Sequence, residues 1–292
     1  VTGTVLPGGD ATRAPADASS VSAAVPSLVV TDLDGTFLSP DGTVSPANVD
    51  AVRRWCSSGR HFLVATGRPP RWLDCLLDLD EVHPTVIASN GAVVYDCATA
   101  EIVASHPIDP ATVVEVVADV RAAVPGTSFG VEHGWRFGHE PGYHRFIDPD
   151  HEPDGIAVGH VEELVAADIV VKLLIQDHSL APDELARRVE PIVGDRLTVT
   201  HSAANGLGLL ELSATGVTKA STLAELCARF GVDRAEVAAF GDMPNDREML
   251  TWAGHGYVMA DGHPSLRDLG TVIGSNADSA VGQVISSWLA DA

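Results

Sequence analysis

The chain has 292 residues, 40 of them acidic against 18 basic, for a formal charge of −22; 45 % are hydrophobic and 20 % charged. This is a globular composition with room for a sizeable core in one or two domains. A surface so negative repels nucleic acid and anionic lipid, which argues against both as partners, and no apolar run approaches the ~18 residues that cross a bilayer.

The four cysteines (Cys56, Cys75, Cys97, Cys227) are widely spaced, without a C-x-x-C or zinc-like grouping. They read as reduced thiols, and a cytoplasmic home is expected. Residues 1–26, rich in Ala, Pro, Gly, Ser and Thr, read as a disordered or loosely attached tail. They show no basic segment followed by a long apolar core, so no signal peptide is expected.

Leu28 to Leu38, LVVTDLDGTFL, is the stretch around which the rest is organised. Its apolar run predicts a buried parallel strand, with Asp32 and Asp34 at the C-terminal end, where open α/β sheets bind ligands. Like charges so close need a cation or a shared proton. The pair therefore suits a magnesium site or a nucleophilic aspartate that takes up a phosphoryl group. Gly35 allows a sharp turn and Thr36 adds a hydroxyl.

Ser45-Pro46 predicts a helix start, with the helix running through Val49, Val52 and Trp55 to Gly59. A second strand, Phe62–Ala65, ends in Thr66-Gly67-Arg68, where a hydroxyl and a glycine N–H before a helix form a phosphate cradle. A helix is predicted at 70–80, then a strand from Thr85 to Ser89 closing at Asn90-Gly91. This βαβα rhythm predicts a doubly wound parallel sheet.

From residue 93 to 205 the pattern changes to a hairpin (Val93–Tyr95, Ile102–Ala104), helices at 110–123 and 182–193, and strands near 127–132, 170–176 and 196–201. That mixture predicts an inserted α+β domain. His133, His139, His144, His151 and His160 lack a metal-binding spacing, so no second metal site is expected. Glu132, His133, Trp135 and Arg136, with Arg68, are the candidates to face a substrate's leaving group.

Core elements are expected again near Leu207, leading to a helix that starts near Thr218 with Lys219 in its first turn. A lysine there opposes the helix dipole and is tolerable if anions lie opposite. Val237–Phe240 predicts the next buried strand, ending in GDMPNDREML, with a helix beginning near Pro244. Asp242 then lies on the strand-end loop, and Asp246 faces the same crevice. Strands near Tyr257–Met259 and Thr271–Ile273 and a helix at 279–289 complete the sheet.

DLDGT, TGR, the helix-borne Lys219 and GDMPNDREML, in this order, resemble the four motifs of the haloacid dehalogenase-like (HAD) phosphohydrolases, and SNGA at 89–92 resembles their Cof-type branch. The resemblance covers residues 27 to 292. It implies a Rossmann-like doubly wound core (27–92 and 206–292) with an inserted α+β cap domain (93–205). It also implies that Asp32 is the nucleophile, Asp34 the general acid and base, and Thr66, Gly67, Lys219 and Asn245 the phosphate-binding groups. Magnesium would be held by Asp32, the Asp34 main-chain carbonyl and Asp242, with Asp246 as a further ligand or a support. The activity so implied is hydrolysis of a small phosphate monoester through an aspartyl-phosphate. A phosphomutase on the same core, and a non-catalytic phosphometabolite-binding module, are the alternatives.

Overall fold

The structure is a computed structural model that describes residues 25–79, 81–144, 156–200 and 208–290; nearly all of the expected tail, 1–26, and His151 lie outside the described residues. The chain opens with strand β1 (Leu28–Thr31), helix α1 (Pro46–Ser57), β2 (His61–Ala65), β3 (Thr85–Ala88) and the hairpin β4 (Val93–Asp96) and β5 (Glu101–Ser105). Next come α2 (Pro110–Ala123), β6 (Ser128–Glu132), β7 (Phe137–His139), β8 (Ala157–Val158), α3 (Val161–Ala167) and β9 (Lys172–Asp177). Helix α4 (Pro182–Val193), β10 (Leu197–Thr200), β11 (Gly208–Ala214), α5 (Lys219–Phe230) and β12 (Val237–Gly241) follow. The chain closes with α6 (Arg247–Trp252), β13 (His255–Val258), β14 (Thr271–Val272) and α7 (Ala280–Ala290).

Among the described residues these strands form an eight-stranded sheet, ordered β14-β13-β12-β1-β2-β3-β4-β5, and a six-stranded sheet, ordered β10-β11-β9-β6-β7-β8. In the larger sheet β1 pairs in parallel with β2 on one side and β12 on the other. The chain thus leaves β1 in one direction and later resumes on its opposite side. A crevice opens at the carboxyl ends of strands around such a reversal, which is where Asp32 and Asp242 emerge.

Period-2 alternation assigns the core strands to two apolar layers. Leu28 and Val30 pack with Leu63, Ile87 and the α5–α6 residues Leu223, Leu226 and Met249. Val29 and Val64 pack with Trp55 of α1 and Val281 and Ile285 of α7. Among the described residues the smaller sheet has helices on one face: Phe129, Val131, Leu173, Ile175 and Leu210 meet Val113, Val116 and Val117 of α2 and Leu185 and Val189 of α4. Its other face, which carries Glu132, Lys172 and Glu211, is turned to the larger sheet.

Three expectations change. The 93–105 hairpin extends the eight-stranded sheet, because β4 pairs antiparallel with β3. The strand expected to resume the core near Leu207 is β11, which pairs with β9 and β10 in the other sheet. The sheets therefore divide the chain later than residues 93 and 206 at both crossings. Where one helix is expected at 70–80, the described residues 70–79 form two 3₁₀ turns, Pro70–Trp72 and Asp74–Leu79. The Arg68 guanidinium takes the Trp72 carbonyl at 3.2 Å, and the Leu76 N–H turns to Leu73 O at 2.9 Å, so the i→i+4 bond between residues 72 and 76 is lost.

Asn48 ties α1 to its surroundings. Buried completely, its Nδ2 donates to Phe37 O at 2.8 Å and its Oδ1 accepts from Gly282 N at 2.9 Å. A Cβ on Gly282 would stand 2.6 Å from that oxygen, so α7 can approach only as glycine. Asn48→Ala strands a buried donor and a buried acceptor, and urea unfolding should show a loss of roughly 2–4 kcal/mol; an unchanged midpoint would refute this account of the α1–α7 contact.

Candidate active site

Beyond β1 the chain turns through Leu33–Phe37, where Gly35 has φ +79°. A Cβ on Gly35 would lie 2.3 Å from Asp242 Oδ2, so the turn must be glycine both for its backbone and for the approach of that carboxylate. Thr36 is fully buried, and its hydroxyl donates to Asp242 Oδ1 at 2.8 Å.

Lys219 sits at the start of α5, whose cap is a reciprocal pair between Thr218 and Ser221. Its ammonium is buried and donates to Asp32 Oδ1 and Asp246 Oδ1, each at 2.6 Å. Asp246 Oδ2 accepts from the backbone N–H groups of Asp242 and Met243, both at 3.0 Å. Burial alone would lower the Lys219 pKa; the charges of Asp246 and Asp32 outweigh it and raise it. The lysine therefore remains a cation.

Asp32, Asp242 and Asp246 place carboxylate oxygens within 4.8 Å of one another. One lysine does not balance three carboxylates. Burial, and then the charge of Asp246, push Asp242 up to about 7, and Asp32 is raised well above its ordinary range, with burial the largest cause. A divalent cation at the open oxygens of Asp32 and Asp242 would remove that penalty, so the residues fit one. Asp246 has both oxygens engaged, which suits it to support the pair.

On the neighbouring strand, the Thr66 side-chain oxygen accepts from Arg68 N at 3.1 Å, which leaves its own hydrogen to donate. Arg68 holds Asp34 with two bonds, Nε to Oδ2 at 2.8 Å and Nη2 to Oδ1 at 2.6 Å. Both Asp34 oxygens are thus engaged by Arg68. Asn245 Nδ2 donates to Asn90 Oδ1 at 3.1 Å, and Asn245 Oδ1 is buried without a partner.

The other candidates separate. Glu132 is buried at the boundary with the larger sheet, held by Arg71 through two contacts, one of 2.8 Å between Nη2 and Oε1. His133 Nδ1 is 2.7 Å from Ile169 O, Trp135 packs edge-on against Tyr95 with centroids 5.5 Å apart, and exposed Arg136 pairs with Asp168. The contacts of these three thus go to Ile169, Tyr95 and Asp168, and not to Asp32, Lys219 or Asp246. Glu140, His160 and Glu162 also come within 4.8 Å of one another, but Arg121 already pairs with both glutamates.

Sequence reasoning missed Arg71, Asn90, Lys172 and Glu211. Buried Lys172 donates to Gly67 O at 2.7 Å and to Glu211 Oε1 at 2.5 Å, while Asn90 Nδ2 donates to Glu211 Oε2 at 3.1 Å. The available signal was a lone charge in each of two apolar runs, VVKLLI and LLELS.

The profile of a family described as haloacid dehalogenase-like hydrolases matches residues 29–285. The chain belongs to that family. Within it the chain is a phosphatase of the Cof-type branch, as DLDGT and SNGA imply. It is 25 % identical over 278 residues to a 5-amino-6-(5-phospho-D-ribitylamino)uracil phosphatase of Bacillus subtilis, covering 90 % of this chain and 97 % of the relative. It is 27 % identical over 263 residues to an HMP-PP phosphatase of Cronobacter sakazakii, covering 88 % and 94 %. A HAD-superfamily phosphatase from Bacteroides thetaiotaomicron shares the fold at a TM-score of 0.74 and 21 % identity, with 96 % of this chain and 99 % of that one covered.

Lys219→Met leaves three buried carboxylates without their cation. In EDTA, urea titration should show a loss of roughly 3–5 kcal/mol; wild-type stability would mean that Lys219 does not hold the cluster.

Proposed function

We propose that this phosphatase hydrolyses the monoester of a small phosphorylated metabolite, a sugar phosphate or similar, with magnesium and through an aspartyl-phosphate on Asp32. The observation that carries the reading is the Lys219 bridge from Asp32 to Asp246, with the Asp242 carboxylate beside it. Relatives that act on a phosphoribitylamino-uracil and on HMP-PP support a small phosphorylated substrate.

In the first step an Asp32 carboxylate oxygen attacks phosphorus and the bond from phosphorus to the ester oxygen breaks. Asp34, which takes up a proton from solvent as Arg68 releases one carboxylate oxygen, gives that proton to the ester oxygen. In the second step Asp34 takes a proton from water, the water oxygen attacks phosphorus, and Asp32 leaves as a carboxylate. Lys219 holds Asp32 in line and offsets charge on the phosphoryl oxygens, while the Thr66 hydroxyl, Gly67 N–H and Asn245 amide are fixed donors to them. Asp32, the Asp34 carbonyl and Asp242 would hold magnesium, which would supply further neutralisation of the phosphoryl charge.

Phosphate release from p-nitrophenyl phosphate and a panel of metabolite monoesters tests this. Activity should need magnesium and vanish in EDTA. Asp32→Asn should abolish turnover with the circular dichroism spectrum intact, and surviving turnover would overturn the covalent route. Asp34→Asn should lose about 10²–10⁴-fold, the range for a positioned acid–base group; a loss under about tenfold would reassign that role.

A further inference from the structure

The smaller sheet reaches the phosphate-binding groups of the larger one through a buried ion pair. We propose that Lys172 and Glu211 are positioning residues for phosphoryl transfer, setting the Thr66 hydroxyl and the Asn245 amide from across the boundary between the sheets. The inference rests on the phosphatase reading above and adds to it the control of the phosphate cradle by the inserted unit.

Two chains of contacts carry it. Lys172 Nζ donates to Gly67 O at 2.7 Å. That bond fixes the plane of the peptide between Gly67 and Arg68, and the N–H of the same peptide donates to Thr66 Oγ1 at 3.1 Å. A hydroxyl that accepts there must direct its hydrogen elsewhere, toward the crevice where an anion would sit. A disturbed peptide plane therefore disturbs the direction of a phosphate donor.

The second chain settles an amide orientation. A carboxylate accepts and cannot donate, so Glu211 Oε2 at 3.1 Å requires the NH₂ end of Asn90. Thr200 Oγ1 accepts from the same NH₂ at 3.2 Å, its own hydrogen being given to Glu211 O at 3.1 Å. Asn90 Oδ1 must then face Asn245, whose Nδ2 donates to it at 3.1 Å, with the second Nδ2 hydrogen left for a phosphoryl oxygen.

The backbone of the turn agrees. Ser89 and Asn90 have φ +51° and +57°, left-handed values that non-glycine residues hold at a cost. The turn is pinned by Ser89 N to Arg68 O at 2.9 Å and Asn90 N to Thr66 O at 3.0 Å, so it shares its anchors with the cradle. Lys172 and Glu211 are almost wholly buried and are paired with each other at 2.5 Å. A buried pair of this kind is weak evidence for stability, so stability alone does not account for its place at the boundary.

The test uses the full chain with magnesium, orthovanadate as a phosphate-site inhibitor, and two substrates, p-nitrophenyl phosphate and a larger ester from the panel. Lys172→Met and Glu211→Gln should each raise the vanadate Ki about tenfold or more, the worth of one hydrogen bond to a charged group. They should lower kcat on both substrates by about the same factor. A Ki describes only folded, active enzyme, so a purely structural role would lower Tm and yield without moving it. Glutamine nearly matches glutamate in shape, so Glu211→Gln carries the test if Lys172→Met fails to fold. A vanadate Ki within about twofold of wild type overturns the proposal. So do losses that differ about tenfold between the two esters, which would place the pair against the leaving group. A wild-type chain that neither turns over an ester nor binds vanadate removes the phosphatase reading, and the proposal with it.

Discussion

One ammonium among three buried carboxylates sets the terms for the rest of the structure. Lys219 would be out of place in the first turn of α5 on dipole grounds. It is held there because Asp32 and Asp246 each accept from it at 2.6 Å. Bringing it in requires α5 to start tight against the turn after β3. A Cβ on Gly91 would meet Thr218 O at 2.3 Å, so that junction admits only glycine. The residues on either side of the lysine are thus fixed by space, and the lysine itself by charge.

A second layer of buried charge lies at the boundary between the two sheets: Arg71 pairs with Glu132 across it, while Lys172 and Glu211 pair within the smaller sheet and reach across to Gly67 O and Asn90. Each positive group is matched by a negative one, so the layer is formally neutral, whereas the carboxylate cluster beside it is negative. The two layers do different work. The cluster leaves a charge deficit that a cation can fill. The neutral layer consumes its own charges and leaves its hydrogen-bond geometry as the useful output.

The four motifs were legible because each is local: a strand end, a glycine and a polar side chain fall within a few residues, and the sheet order brings the strand ends together. Asp32, Thr66, Lys219 and Asp246 needed no knowledge of the inserted unit. Lys172 and Glu211 were not legible in that way, since their meaning depends on a face of β9 and β11 opposing a loop more than a hundred residues distant. Period 2 does place Lys172, Leu174 and Gln176 on one face and Leu173 and Ile175 on the other. What it does not tell is which face meets helices and which meets the other sheet. The 70–80 segment misled for a similar reason. Its apolar spacing fits a helix, but the Arg68 guanidinium competes for the Trp72 carbonyl, and Arg68 is placed by Asp34.

The composition of the boundary bears on how the two units could part. An apolar contact holds by excluding water, and separating it costs about 25 cal/mol for each Å² exposed. Charged groups that separate into water regain hydration, which offsets most of what their mutual attraction supplied. Across the boundary, Arg71 with Glu132 is the ion pair to which this applies, and Lys172 to Gly67 O and Asn90 to Glu211 add directional hydrogen bonds. The apolar residues of the facing side, Phe137, Tyr143, Leu174 and Leu209, cluster among themselves within the smaller sheet. Under the two-step route proposed above, excluding water while Asp32 attacks and admitting it for the second step would call for a contact that holds by direction more than by burial.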